Sequence, residues 1–175
     1  MDSKNLLKYP IGTFNCPNEV SMKQVQEWIS TLKSFPDRLS KTVLPLEETL
    51  LNTPYREGAW TIRQLVHHLA DSHLHSYVRF KWTLSENHPT IKAYDENAWS
   101  AMIDAQQAPI EVSLNFLNAL YPKWIYFLET LKLEDFQKTY VHPEGMVTKT
   151  LFCTLGSYVW HGEHHLSQII QKLES

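Results

Sequence analysis

The sequence predicts an all-α fold, a four-helix bundle with a long connection between its second and third helices. Four long segments carry apolar residues at helical spacing, and loops that contain Pro, Asn and Gly separate them. Four amphipathic helices of this length pack most simply as a bundle. With 175 residues, 43% of them hydrophobic, the chain is long enough for one domain with a core, which we expect to span residues 1–175.

The first helical pattern begins at Ser21, whose hydroxyl can cap a helix while Gln24 completes an S-x-x-Q capping box. Apolar residues at helical spacing continue as far as Val43. Because proline lacks a backbone N–H and its ring clashes with the preceding turn, we expect Pro36 to bend or interrupt this helix.

The second pattern begins with another capping box, formed by Thr61 and Gln64, and runs to about Ser85. The third runs over about residues 110–131 and contains Pro122. Both present an apolar stripe that suits the interior of a bundle.

The fourth pattern spans about residues 150–173. The connection between the second and third helices covers residues 88–109, and we expect a short helix within it at about 95–102. Residues 140–147 are predicted to form a turn or a short hairpin.

Composition excludes several classes of partner. The chain carries 16 Lys and Arg against 19 Asp and Glu, a formal net charge of −3, and no basic run interleaved with aromatic residues, so nucleic acid is not expected to bind. Residues 1–14 lack the apolar stretch of a signal peptide, and no run of about 18 apolar residues occurs. We therefore expect a cytoplasmic protein without a membrane partner.

The two cysteines, Cys16 and Cys153, lie far apart in the sequence and form no C-x-x-C motif. In a cytoplasmic protein this pattern favours two reduced, partly buried thiols.

The fourth helix contains the stretch WHGEHH, which begins at Trp160. At about 100° per residue, His161 and His165 lie together on one border of the apolar stripe, whereas His164 projects almost opposite to it and is expected to be exposed. Two histidines one turn apart can both bind one metal ion. Gly162 lies within the stripe, where its lack of a side chain would let a neighbouring helix approach closely.

A third metal ligand would have to come from another helix, and the second helix offers several histidines. The same angular count places His68 at the border of the stripe, His67 away from the core and His73 inside the stripe. His68 is therefore the first choice and His75, two turns later, the second. Asp71 is placed to accept a hydrogen bond from a ligand N–H.

Other interpretations of these histidines remain open. Histidine pairs at i, i+4 also occur on solvated helix faces, so WHGEHH can be no more than such a face. Glu163 lies on the other flank of the helix, which argues against a zinc-protease motif of the HExxH type. No G-x-S-x-G or comparable nucleophile motif is present for a Ser-His-Asp hydrolase.

Six segments together resemble a known family, the DinB-like superfamily, and within it the branch of YfiT-type metal-dependent hydrolases. They cover nearly the whole chain and are residues 9–12 (YPIG), 55–73 (YREGAWTIRQLVHHLADSH), 94–99 (YDENAW), 140–143 (YVHP), 158–161 (YVWH) and 164–166 (HHL). Many members of the superfamily continue the last motif as HRGQ. Residues 165–168 here read HLSQ, which favours the YfiT branch and weakens the transfer of activity from other branches.

The resemblance implies a DinB-like four-helix bundle over residues 1–175, usually a homodimer, with one divalent metal ion per chain. Carried over by motif, the ligands are His68 of the second helix and His161 and His165 of the last, the same side chains that the helix geometry favours. Zinc or nickel is the first choice of metal, although three imidazoles also suit copper or iron.

Three imidazoles leave at least one coordination position open, which implies chemistry on a small-molecule substrate. Our first hypothesis is a metal-dependent hydrolase that activates water. The alternative is an S-transferase that joins a low-molecular-weight thiol of the bacillithiol type to an electrophile, as some DinB-like relatives do, and the second alternative is a non-catalytic binding module that the metal stabilises. No catalytic residue is evident; the candidate general bases are Asp71, Glu163, Tyr158 and His75.

Overall fold

The computed structural model describes residues 7–175, whose long helices form a four-helix bundle, as predicted. In chain order the elements are α1 (Met22–Val43), α2 (Glu48–Leu51), α3 (Ile62–Ser85), α4 (Glu96–Ser100), α5 (Ile103–Gln107), α6 (Ile110–Glu129), α7 (Leu133–Phe136), β1 (Thr139–His142), β2 (Val147–Thr150) and α8 (Leu151–Leu173). The two strands pair antiparallel as a hairpin, which confirms the predicted turn region.

The capping signals mark where the long helices begin. At α3 the Thr61 hydroxyl accepts from the Gln64 backbone N–H, and the Gln64 side chain accepts from the Thr61 N–H, so the capping box is complete. At α1 only half of the box forms, because the Gln24 side chain donates to Glu27 instead of bonding back to Ser21.

Pro36 does not interrupt α1, contrary to one of the two outcomes expected from the sequence. The helix continues as one element from Met22 to Val43. Pro36 is itself buried between the core residues Phe35 and Leu39. Packing of this apolar face against the bundle offsets the hydrogen bond that proline cannot donate.

The first two long helices, α1 and α3, are not packing partners in the bundle. Helix α1 packs mainly against α6 and α8, and α3 packs mainly against the same two helices, so α1 and α3 lie across the bundle from each other. The core between them is rich in aromatic side chains, the largest of which are Phe35, Phe80, Tyr121, Trp124 and Phe152.

Glycine permits close contact on the inner face of α8. A Cβ atom added to Gly162 would lie 3.0 Å from the Phe35 ring of α1, so the predicted close approach at this position is confirmed. The neighbour is α1 rather than α3, the helix that carries His68. One and a half turns earlier, a Cβ added to Gly156 would lie only 2.6 Å from Trp28.

Cys16 and Cys153 form a disulfide, so the expectation of two separate thiols was wrong. The segment before α1 runs back across the first turn of α8 and brings the two Cα atoms to 5.4 Å, although 137 residues separate them in sequence. Separation along the chain did not reveal this contact, because it depends on where the N-terminal segment packs.

The long connection between α3 and α6 contains two short helices, where one was expected. The Asp95 carboxylate caps α4 by accepting from the Ala98 N–H. Before α4, Ile91 donates a backbone hydrogen bond to Val141 of the hairpin, so the connection is tied to β1. Among residues 7–175, no helix is both long and apolar enough to cross a membrane.

Candidate metal centre

Three histidine side chains from two helices meet at one point beside the core. His68 comes from α3, and His161 and His165 come from successive turns of α8. The Nε2 atom of His161 lies 3.1 Å from that of His68 and 3.2 Å from that of His165. One nitrogen from each of the three rings lies within 4.8 Å of the other two. These are the three residues that the sequence singled out.

Gln168 orients the ring of His165. The Gln168 Nε2 atom lies 2.9 Å from the carbonyl oxygen of Lys8, which can only accept a hydrogen bond. The amide oxygen therefore faces His165, whose Nδ1 lies 2.8 Å away and must donate. The proton of the neutral ring is then on Nδ1, and Nε2 presents its lone pair to the cluster.

His73 and Tyr121 support the ring of His161 from the core. The Nδ1 atom of His161 lies 3.3 Å from His73 Nε2, and His73 Nδ1 lies 2.7 Å from the Tyr121 hydroxyl. When each Nδ1–H donates along this chain, Nε2 of His161 is left with its lone pair. On the other side of the cluster, the Tyr94 hydroxyl lies 3.5 Å from Nδ1 of His68.

The cluster fits a divalent metal ion. Zn–N bonds of about 2.0–2.1 Å at tetrahedral angles place neighbouring nitrogens about 3.3 Å apart, close to the separations found here. With both Nδ1 atoms protonated, the Nε2 lone pairs of His161 and His165 face each other at 3.2 Å and repel unless a cation or a proton lies between them. The set of donors and their outer hydrogen bonds are those of a three-histidine metal site.

Burial keeps these imidazoles neutral, the form that binds metal. Removal from water lowers the pKa of His68 to about 4. It also lowers the pKa values of His161 and His165 well below the usual 6.5, and repulsion from neighbouring histidines adds to the effect. At neutral pH, few protons compete with a metal ion for these nitrogens.

Two histidines that the sequence placed on outer helix faces are buried instead. His67, expected to point away from the core, is buried and makes hydrogen bonds with the Ser113 hydroxyl and the Ala108 carbonyl. His164, expected to be exposed, is buried under the ring of Tyr9 and bonds to Gln168. A helical wheel describes one helix against one core, so it cannot include the segments that cover the outer faces of α3 and α8.

The remaining histidines of α3 are placed as follows. His73 is fully buried, as its position in the stripe predicted. His75, the second choice for a ligand, stacks on Tyr94 with ring centroids 4.2 Å apart and does not join the cluster.

None of the general bases suggested by the sequence stands free beside the cluster. Glu163 forms an ion pair with Arg38, and the Tyr158 hydroxyl accepts from Arg79. Burial, followed by the charge of Asp104, raises the pKa of Asp71 to about 6. The Nδ1 atoms of the three clustered histidines contact Tyr94, His73 and Gln168, so Asp71 does not fill the expected role of hydrogen-bond acceptor.

Glu96 is the carboxylate that sequence reasoning missed. Its Oε2 atom lies 3.9 Å from Nε2 of His68, and its side chain is 58% exposed at the edge of a cleft. Partial burial, followed by the charges of Glu144 and Asp95, raises its pKa. The residue lies within the segment YDENAW that resembles the YfiT branch, which was the one available signal. Its distance from the cluster depends on the path of a connection that periodicity cannot trace.

The cluster adjoins a cleft with a volume of about 820 Å³. His161 contributes to its wall, beside Tyr158 and Arg79. The α4 segment, with Glu96, and the hairpin, with Lys149, complete the opening. A cleft of this size admits a small molecule to the histidines.

Comparison with known proteins identifies a family and several relatives of this chain. The model of the DinB superfamily matches residues 23–169. A protein of Halalkalibacterium halodurans named "Putative metal-dependent hydrolase" is 43% identical over 166 residues, covering 95% of this chain and 96% of the relative. One of the same name from Bacillus cereus is 44% identical over 165 residues, covering 94% of each.

A solved structure has the same fold. It is that of YfiT from Bacillus subtilis, described as "a probable metal-dependent hydrolase with an unusual four-helix bundle topology". The two structures superpose with a TM-score of 0.95 at 41% sequence identity, and the match covers 97% of each chain.

Proposed function

The chain belongs to the DinB superfamily, and on that premise we propose that it is a metal-dependent hydrolase in which His68, His161 and His165 hold one divalent ion, zinc or nickel. The observation that carries the proposal is the convergence of three imidazole Nε2 atoms at a site where His161 lines an open cleft. A structural zinc site is usually closed by a fourth protein ligand, whereas three ligands leave a position for water or substrate. The relatives named as hydrolases support the same assignment.

The bound ion would supply Lewis acidity, which polarises a scissile carbonyl and lowers the pKa of water. The protein supplies orientation and a place for the proton. Gln168 and His73 hold the rings of His165 and His161 with each Nε2 facing the cluster. Glu96 Oε2, 3.9 Å from Nε2 of His68, accepts the proton of the attacking water and returns it to the leaving group.

Thiol S-transfer is the second candidate function, and the size of the cleft supports it. A volume of about 820 Å³ accommodates two small molecules side by side, as a reaction between a thiol and an electrophile requires. The same ligand geometry suits activation of a thiol in place of water. Consumption of an electrophile only when a low-molecular-weight thiol is present would identify the transferase.

Metal content per chain tests the site. We expect one equivalent of zinc or nickel in the tag-free protein and loss of that metal in separate His68→Ala, His161→Ala and His165→Ala variants. His67→Ala is the matched control, because His67 is also buried on α3 but faces Ser113. If the wild type resists loading, or the three variants keep full stoichiometry, the metal site and the enzymatic proposal are both wrong.

Glu96→Gln tests the catalytic role separately. We expect the variant to keep its metal and to hydrolyse activated esters such as p-nitrophenyl acetate about 100-fold or more slowly than the wild type. Glu144→Gln, on the hairpin side of the same cleft, is the control; it should retain activity at neutral pH, although the loss of its charge lowers the pKa of Glu96. Equal loss in both variants would point to a general electrostatic effect and exclude Glu96 as the base.

The remaining expectations belong to the same proposal. The substrate would be a small molecule, the protein cytoplasmic and the assembly a homodimer. Sedimentation at micromolar concentration tests the dimer, since a monomer and a dimer of a 20.5 kDa chain separate clearly.

A further inference from the structure

Arg79 is a buried cation without a carboxylate partner. It lies on α3, lines the cleft and is only 8% exposed. Its Nη1 donates to the Tyr158 hydroxyl at 2.9 Å, whereas its Nε has no hydrogen-bond partner. Within residues 7–175, no carboxylate forms an ion pair with it at 4.0 Å or less.

A buried guanidinium without a counter-ion lowers the stability of the fold unless a ligand binds to it. A guanidinium carries five N–H donors, and the bond to Tyr158 uses one of them. Leaving a buried charge without a counter-ion disfavours folding by several kcal/mol in general. Arg63 shows the contrasting case in this protein: it is equally buried, and it bonds to Glu48, Asn52 and the Ala108 carbonyl. A structural role alone therefore explains Arg63 but not Arg79.

The cleft carries charged groups of both signs. Glu96 stands beside the histidine cluster, and Asp95 caps α4 next to it. The hairpin brings Lys149 to the rim, where burial and the nearby Arg79 lower the pKa of its ammonium group. Glu144 lies on the turn of the same hairpin and also lines the cleft.

A single side chain spans the distance from Arg79 to the cluster. The guanidinium carbon lies 5.9 Å from the ring centroid of Tyr158, and that centroid lies 5.8 Å from the ring centroid of His161. The guanidinium carbon is therefore no more than about 12 Å from the His161 ring, a distance that one small, flexible ligand can bridge.

We propose that Arg79, assisted by Lys149 at the rim, binds a carboxylate group of the substrate. This inference deepens the proposed function and rests on it for the reacting end of the molecule: the substrate class is an elongated carboxylic acid whose reacting group reaches His68, His161 and His165. A guanidinium pairs with a carboxylate through two parallel hydrogen bonds. Lys149 is exposed at the rim, so Arg79 is the one buried cation of this pair, and it matches the single charge of a carboxylate better than the double charge of a phosphate monoester.

Adipate, a flexible dicarboxylate, is the probe, and 1,6-hexanediol is its uncharged analogue. We expect adipate to bind the zinc-loaded protein, as measured by calorimetry, and hexanediol not to bind at the same concentrations. Arg79→Gln should weaken adipate binding at least tenfold, and Arg79→Lys should weaken it less. Lys81→Gln is the matched control, because it removes one positive charge from an exposed position of the same helix and should leave the affinity unchanged.

A second readout does not require a variant to fold. In the wild type, the Nε–H resonance of Arg79 should shift on addition of adipate, whereas that of Arg38, paired with Glu163, should not. An unshifted Arg79 resonance, or equal adipate affinity in the wild type and Arg79→Gln, would overturn the proposal. Tighter binding of inorganic phosphate than of adipate, with the same dependence on Arg79, would overturn the choice of carboxylate.

Repeating the titration on metal-free protein separates the two proposals. Arg79-dependent adipate binding in a protein that never loads metal would retain the carboxylate site and remove the hydrolase. If the protein loads metal normally but binds adipate with the same affinity in the wild type and in Arg79→Gln, the hydrolase proposal is retained and the carboxylate site is removed.

Discussion

Nδ1 of His161 lies 3.3 Å from Nε2 of His73, a residue that is fully buried and contacts no solvent. The contact fixes which nitrogen of His161 faces the cleft. His73 is in turn held by the Tyr121 hydroxyl at 2.7 Å, so the orientation of a proposed metal ligand depends on a core residue of α6.

Removing this support should weaken metal binding without removing a ligand. We expect His73→Phe to raise the dissociation constant for zinc about 10- to 100-fold, the usual effect of losing an outer hydrogen bond to a ligand histidine. Tyr121→Phe, which deletes only the hydroxyl, should have a smaller effect in the same direction. Competition with a chromogenic chelator measures both, and one zinc per chain should still bind at saturation.

Tyr126→Phe provides the control for Tyr121→Phe. Tyr126 lies on the same helix, but it is 74% exposed. If Tyr126→Phe changes the zinc affinity as much as Tyr121→Phe does, the contact between Tyr121 and His73 has no special role in metal binding.

The sequence predicted the parts of the site that depend on one helix. His161 and His165 share a flank because they are four residues apart, and His68 lies at the border of its own stripe. The four long helices were predicted with ends within about two residues of those found, because their caps and apolar periodicity are local signals.

The parts that depend on several segments were not predictable in this way. Gln168 orients His165 because the Lys8 carbonyl holds its amide nitrogen, and Lys8 is 160 residues away. Glu96 reaches His68 only through the path of the connection before α6. The burial of His164 and the disulfide have the same origin, the packing of the N-terminal segment on α8.

Two glycines of α8 should respond differently to alanine. In Gly156→Ala the new Cβ would lie 2.6 Å from Trp28 and 2.7 Å from Phe14, so rings in a packed region must move. Overpacking of this kind costs about 1–3 kcal/mol. In Gly162→Ala the nearest atom is at 3.0 Å, and the helix propensity of alanine, about 1 kcal/mol better than that of glycine, offsets the smaller clash.

Urea unfolding of both variants measures the difference. We expect Gly156→Ala to lower the free energy of unfolding by about 1–2 kcal/mol relative to Gly162→Ala. Equal stabilities would mean that Trp28 and Phe14 yield to a methyl group as easily as Phe35 does.

The disulfide should make a large contribution to stability. It closes a loop of 137 residues, and the chain-entropy account assigns about 5 kcal/mol to loops somewhat longer than 100 residues. We expect thiol titration of the denatured, unreduced protein to find no free thiol and a reduced sample to show two. Thermal melting should occur at a lower temperature after reduction, and in Cys16→Ser and Cys153→Ser alike. Two reactive thiols in the unreduced protein would contradict the pairing.

Asp71 should give the metal-free protein a pH-dependent stability. Burial and the charge of Asp104 raise the pKa of its carboxyl from 3.8 to about 6, so the folded state binds the proton more tightly than the unfolded state. Its contribution to stability is therefore fully present below pH 3.8 and is lost as the pH rises through about 6. Asp71→Asn removes this loss and should be more stable than the wild type above pH 6, with the difference vanishing below pH 3.8.

Solvent screening of the half-buried carboxyl limits the gain in Asp71→Asn to about 1 kcal/mol. The measurement is the free energy of unfolding of the chelator-treated protein at several pH values across this window. Asp37→Asn, the same substitution at an exposed position of α1, controls for the change in net charge. A gain that persists unchanged below pH 3.8 would show that the amide acts through new hydrogen bonds, since an effect of the raised pKa must disappear once both states are protonated.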